Sequence, residues 1–408
     1  MRIASTCKVA VYYLSRQGHA IHACGLLGLL LLMMADVPNN LLDAALVFNA
    51  HGPASGLRNF RQVYDLLGGE IWWVFREDRA KLCERCCFPP KVLGYLDSLP
   101  LSFDWQAERA KIDAFGAVFI PYGSAEYPPS FAAIENGPVG VYATGKIPAE
   151  REAVAIVGSR KCTFYGEKLA NEFAHGLASN GYTIVSGLAV GIDMAAHAGA
   201  IRAGGETVAV LPGGLDFVYP PKNRALYDEI RRTGVLMTEC CFGNEVDRSS
   251  FSIRNRLITA LASATIVIET APSGGSMISA RYAIQQGKKL MAVPGPVGCG
   301  MSDGCHLLIR GGATLVTCVE EILEVLRGEK SQQGELELQP KDDVSAPDQL
   351  GVEESAIWQV LQQRGGQSID AIAGLANLEP FACAQTVQMM IIRGILQKNT
   401  AGEVSLRR

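Results

Sequence analysis

The strongest constraint on this chain lies between residues 153 and 327, where short apolar runs alternate with longer helical patterns. Residues 154–157 (VAIV) run into Gly158. Residues 163–179 then carry Leu169, Phe173 and Leu177 at helical spacing and stop at Asn180-Gly181. Residues 182–185, 207–211, 235–238, 265–269 and 289–293 continue the strand series, with helical stretches between most of them, including one at 194–203. The runs are apolar throughout, as strands covered on both faces must be. Alternating strand and helix predicts a parallel sheet with helices on both sides.

The flanks differ. Residues 1–120 read as a helical N-terminal region, with Gly/Pro punctuation at 37–40 and 88–90. Residues 121–328 form the predicted core. Residues 329–351 are polar and aperiodic, an acidic linker. Residues 352–408 predict helices at 353–364, 369–376 and 381–393, then strands at 395–398 and 403–406 around an Asn399–Gly402 turn. Three helices and a hairpin describe a winged-helix-like domain. The expected fold class is therefore α/β: an extended Rossmann-like parallel sheet core, a helical N-terminal region and a C-terminal winged-helix domain.

Charge limits where a polyanion could bind. The chain of 408 residues has 37 Lys+Arg against 41 Asp+Glu, a net of -4, and a 48% hydrophobic, 19% charged composition that excludes a mainly disordered polymer. The linker alone holds six acidic and two basic residues, while 151–327 holds 17 basic and 16 acidic. Nucleic acid would have to be held by a few placed groups and not by a global basic field.

Three glycine segments follow predicted strands: Gly158-Ser159-Arg160, the 186–193 run SGLAVGID containing Gly187, and Ser273-Gly274-Gly275-Ser276. In an open parallel sheet, ligands bind beyond the carboxyl ends of the strands, and glycine lets backbone amides approach a phosphate. There is no G-x-G-x-x-G with a distant acid and no G-x-x-x-x-G-K-[ST], so no nucleotide cofactor is expected. A fourth segment, Arg248-Ser-Ser-Phe251-Ser-Ile-Arg254-Asn255-Arg256, combines arginines for phosphates with an aromatic for base stacking. The alternative places Phe251 in the core and the arginines in structural ion pairs.

The blocks GSR (158–160), SGLAVGIDMAAH (186–197), Tyr219-Pro220, Thr238-Glu239, FSIRNR (251–256), SGGSMISA (273–280), AVPGPV (292–297) and SDGCHLLIRGGA (302–313) occur in order. Together they resemble the DNA-processing protein A (DprA/Smf) family over about 150–327. The resemblance implies a non-catalytic homodimer that binds and protects single-stranded DNA and helps load RecA recombinase in natural transformation, while the 12 Cys, spread too thinly for a secreted disulfide scaffold, read as reduced thiols of a cytoplasmic protein. It carries the single-strand contacts onto Arg160 and Phe251, and less directly onto Arg248 and Lys288. Arg254 and Arg256 fit either DNA contact or pocket structure. The chain departs from the family pattern at Cys240-Cys241, at His306 and in residues 1–120.

Other readings stay open. Asp193 and His197, four apart, could be a catalytic or a structural pair, and Glu269 at a strand end could act as an acid/base or as a cap. The rival function is a nucleotide-processing enzyme like the phosphoribohydrolases that resemble cytokinin-activating LOG proteins. Those use P-G-G-x-G-T-x-x-E, whereas this chain has Pro212-Gly-Gly-Leu-Asp216. Cys83, Cys86 and Cys87 form half of a zinc pattern with no second half at ligand spacing, so no metal is expected. Residues 24–35 (CGLLGLLLLMMA) are too short for a membrane span, and with Arg2 and Lys8 upstream they resemble a signal h-region. Arg16, His19 and His22 intervene, however, and Met33/Ala35 is a poor cleavage site, so a buried helix with no membrane association is expected.

Overall fold

The computed structural model describes residues 37–52, 56–149, 152–328, 350–399 and 402–406. The apolar run 24–35 and almost all of the expected linker lie outside them. The chain divides into two compact units, one ending at Lys330 and one beginning at Ser331.

The larger unit is built on a nine-stranded sheet in the order β1-β2-β6-β5-β4-β3-β7-β8-β9. The strands are β1 (Val118–Pro121), β2 (Gly140–Ala143), β3 (Ala153–Gly158), β4 (Thr183–Ser186), β5 (Thr207–Val210), β6 (Val235–Thr238), β7 (Ala264–Ile268), β8 (Lys289–Ala292) and β9 (Thr314–Leu315). β3 through β9 pair in parallel, and β1 and β2 add an antiparallel margin beside β6. The six strands read from the sequence, β3 to β8, are all present. β1, β2 and β9 were not legible there.

Alternation along β3 sends its side chains to opposite layers. Ala155 and Val157 pack with Leu257, Ile258 and Leu261 of the helix Arg248–Leu261. Val154 and Ile156 pack with Phe173 and Leu177 of the helix Phe164–Ser179 and with Ile192 and Ala196 of the helix Ile192–Arg202. Burying each of the larger side chains contributes about 1.5–3 kcal/mol. Helices between Leu41 and Phe115 close a third core around Phe48, Phe60, Leu82 and Leu96, which continues to Leu236 and Phe242 beside β6.

Order along the chain and order in the sheet diverge at one place. β3, β4, β5 and β6 run outward in sequence, after which the chain returns through the helix Arg248–Leu261 to set β7 on the other side of β3. This reversal opens a crevice above the carboxyl ends of β3, β4 and β7.

The smaller unit has the helices Val352–Arg364, Ile369–Ala376 and Pro380–Ile392 and the antiparallel pair β10 (Leu396–Lys398) and β11 (Val404–Leu406). Ile357, Trp358, Leu361, Val387 and Met390 fill its core.

Candidate nucleic-acid interface

The crevice at the strand reversal is a cavity of about 430 Å³ lined by residues that include Gly158, Ser159, Arg160, Phe251, Asn255, Gly274 and Gly275. Its first wall is the turn after β3. A Cβ on Gly158 would lie 2.0 Å from the carbonyl oxygen of Ile268, so only glycine lets the chain leave β3 this close to β7. Glu269 follows β7 in the left-handed region, φ 50°. Its carboxylate accepts the Thr163 N–H at 2.7 Å and the Thr163 hydroxyl. Thr163 in turn caps the helix Phe164–Ser179, accepting the Gly166 N–H at 3.2 Å. The strand-end carboxylate therefore ties the 158–163 turn to β7, the capping alternative of its two sequence readings.

That turn leaves Arg160 exposed, with its guanidinium 4.4 Å from the centre of the half-buried Phe251 ring. Phe251 projects from the first turn of the helix Arg248–Leu261, which Asp247 caps by accepting the Ser250 N–H at 2.7 Å. On Phe251 also leans Tyr219, 5.5 Å between ring centres at 59°. Sequence reasoning did not select Tyr219 as a site residue. Its signal there was its place in the Tyr219-Pro220 block.

The second wall is the loop after β4, where buried polar groups bond mostly to one another. Asp193 accepts the N–H groups of Gly187 (3.1 Å) and Ala189 (3.4 Å). Burial raises its pKa against the charge of Arg254 and these amide bonds. His197 is fully buried, accepts the Leu188 N–H at 3.3 Å and donates through Nδ1 to Thr207 at 2.7 Å. The Thr207 hydroxyl donates its own hydrogen bond to the Ile184 carbonyl at 2.8 Å, which fixes that direction. Burial, then the Arg254 charge, pushes the imidazole down to about 3, so it is neutral. Arg254 donates to the carbonyls of Gly187, at 2.8 Å, and Val210. Burial lowers even this guanidinium to about 10. Gly187 is buried with its amide and carbonyl both engaged, so it shapes the loop from within and is not among the crevice-lining residues.

Arg256 is likewise enclosed. Its guanidinium meets Glu239 in a bidentate pair at 2.5 and 2.6 Å, and Nε donates to the Asn136 carbonyl at 2.6 Å. Burial opposes its charge, and the Glu239 carboxylate outweighs that and raises the pKa. Arg256 thus takes the structural alternative of its two sequence readings, whereas Arg254, bonded to the Gly187 and Val210 carbonyls, also lines the crevice. Arg248 is exposed at the start of its helix, outside the crevice lining. Lys288 is not brought to the site at all. It immediately precedes β8, whose first residue pairs with the first of β7, and it donates to the Ala260 carbonyl at 3.2 Å. The Gln286-Gly287 turn has by then returned the chain to the amino edge of the sheet, so expecting Lys288 among the contacts is corrected by its position.

Elsewhere, Cys240 and Cys241 are free thiols. Burial raises them to about 12 and about 11. His306 meets the Gly295 carbonyl at 3.0 Å. Among the described residues no group of three or more His, Cys, Asp or Glu is placed to hold a metal, and no helix is long and apolar enough to cross a membrane.

A DprA-type relative from Mycobacterium tuberculosis is 39% identical over 245 residues, 60% of this chain and 62% of its own length. Protein Smf of Escherichia coli is 39% identical over 210 residues, 51% of this chain and 56% of its length. The chain thus spans about three fifths of these curated relatives. The X-ray structure of DNA processing protein A from Streptococcus pneumoniae superposes with a TM-score of 0.54 at 32% identity, over 66% of this chain and 93% of that one. The family model of DNA recombination-mediator protein A matches residues 118–327, from the start of β1 to the last helix of the larger unit. A match over more than half of the chain, with the strand-end loops inside it, makes this protein a member of the DNA recombination-mediator protein A family.

Proposed function

We propose that this protein is a non-catalytic, cytoplasmic binder of single-stranded DNA. It would protect incoming strands in DNA processing and natural transformation, help load RecA recombinase, and work as a homodimer. The observation that carries the DNA reading is Arg160, a solvent-facing guanidinium held over Phe251 at the rim of a glycine-lined crevice. A cation resting on an exposed ring gains about 0.5–1 kcal/mol, less than a charge-assisted bond to phosphate. A strand can therefore draw Arg160 onto its phosphate and uncover Phe251 for a base. Arg248 offers a second phosphate contact outside the crevice, and Asn255, Ser159 and the Gly274-Gly275 backbone supply polar groups within it.

Binding is favoured over hydrolysis because Asp193, His197 and Glu269, the acid/base candidates, are each engaged by protein groups. A phosphoribohydrolase needs a carboxylate free to meet its substrate. The names of the relatives, which tie them to DNA processing, agree with the reading. RecA loading and the homodimer rest on the family resemblance, and the cytoplasmic location on the free cysteines. Fluorescence anisotropy with a labelled oligonucleotide tests the DNA reading. Arg160→Ala and Phe251→Ala should each weaken binding by about 1–3 kcal/mol. Unchanged affinity in both folded variants would sink it.

A further inference from the structure

We propose that Tyr219 is a second base-stacking residue of this crevice, and that its angle to Phe251 makes a bound strand turn between two neighbouring bases. The inference rests on reading the crevice as a single-strand site. Tyr219 is 41% exposed, and the ring of Phe251, itself half-buried, lies beside it. A tyrosine serving only as core would bury its ring, whereas this one leaves a large part of an aromatic surface in solvent at the crevice rim. Phe251 lines the cavity and Tyr219 does not, so the two rings lead outward from it.

The position is also built. Asn223, buried, donates its side chain to the Leu188 carbonyl at 2.8 Å, and its backbone N–H to the Pro220 carbonyl at 3.0 Å. The turn that carries Tyr219 is thereby pinned to the same loop that Asp193, His197 and Arg254 hold rigid. Val218, just before it, packs against the core formed with the N-terminal helices. Lys222 stands exposed one turn further on, where the phosphate of a base on Tyr219 needs a cation. Stacking side chains read no sequence, since every base has a π-face. Geometry still selects: the rings are inclined at 59°, so bases lying flat on each cannot be parallel. Neighbouring bases in a duplex are nearly parallel and cannot occupy both rings. A flexible single strand can.

The test is anisotropy on labelled oligothymidylates with the full chain, its Tyr219→Ala, Tyr219→Leu, Tyr219→Phe and Arg160→Ala variants, and thermal denaturation to verify folding. Tyr219→Ala and Tyr219→Leu should bind roughly five- to a hundred-fold more weakly, and Tyr219→Phe within about twofold of the parent. A 5-iododeoxyuridine oligonucleotide should crosslink to Tyr219 under ultraviolet light. Leucine keeps apolar packing against Phe251 without an aromatic face, so parental affinity in Tyr219→Leu beside a loss in Tyr219→Ala would overturn the proposal. So would parental affinity in both while Arg160→Ala is weakened, which leaves the single-strand reading standing. A parent chain that binds no oligothymidylate removes both.

Discussion

At the residue scale, the rim side chains are few and the groups beneath them are many. Arg160, Phe251 and Tyr219 face solvent to different degrees, while Asp193, His197, Arg254, Arg256 and Glu269 hold the loops in place. His197 exposes this division to titration. Its folded pKa of about 3 lies below the ordinary histidine value of 6.5, so the unfolded chain takes up the proton first. Its contribution to stability is complete above about pH 6.5 and is lost as pH falls toward 3, at about 1.4 kcal/mol per pH unit. Urea denaturation from pH 7 to 4 should show that slope reduced in His197→Gln. Parallel curves for parent and variant would refute the assignment. The sequence identified Arg254 and Arg256 as notable without deciding between DNA and structure. A guanidinium that finds carbonyls 44 and 67 residues away is indistinguishable, by residue type, from one that faces solvent.

Elements depend on which glycines are forced by close approach. Gly158→Ala would drive a Cβ to 2.0 Å from the Ile268 oxygen and 2.5 Å from Ile192, where neither backbone nor core can yield freely. It should cost about 1–3 kcal/mol by overpacking at the junction of β3 and β7. Gly275→Ala meets nothing within 4 Å and has φ -62°, so stability should stay within about 0.5 kcal/mol. Chemical denaturation of both separates a required glycine from a permissive one, and equal losses would contradict this geometry. Strands β3 to β8 were legible because burial on both faces leaves a continuous apolar run. β1 (VFIP) and β2 (GVYA) become strands by pairing with each other and with β6, which no local pattern announces. In the smaller unit, the helix Pro380–Ile392 exposes Phe381, Met389 and Ile392, and its neighbouring cation Arg393 is paired with Glu354 at 2.7 Å. Such a face is poorly made for phosphate.

For the whole molecule, the sum of charge decides the salt dependence. The core carries nearly equal numbers of acids and bases, so the proposed grip on a strand at Phe251 rests chiefly on Arg160 and Arg248. Two phosphate contacts predict a slope of log affinity against log salt of about -1.4. A titration series in sodium chloride measures it, and a slope near zero would argue for a neutral ligand instead. By itself, the sequence determined the parallel α/β core, the glycine loops at its strand ends and the candidate pair Arg160 and Phe251, because hydrophobic period and residue chemistry are local properties. Tertiary structure alone decided that β7 returns beside β3, that Lys288 ends on the far edge, that Arg254 and Arg256 are enclosed and that Tyr219 reaches the rim. Each of these depends on which distant segments meet, and that is set by how the whole chain buries its apolar surface and pairs the polar groups it encloses.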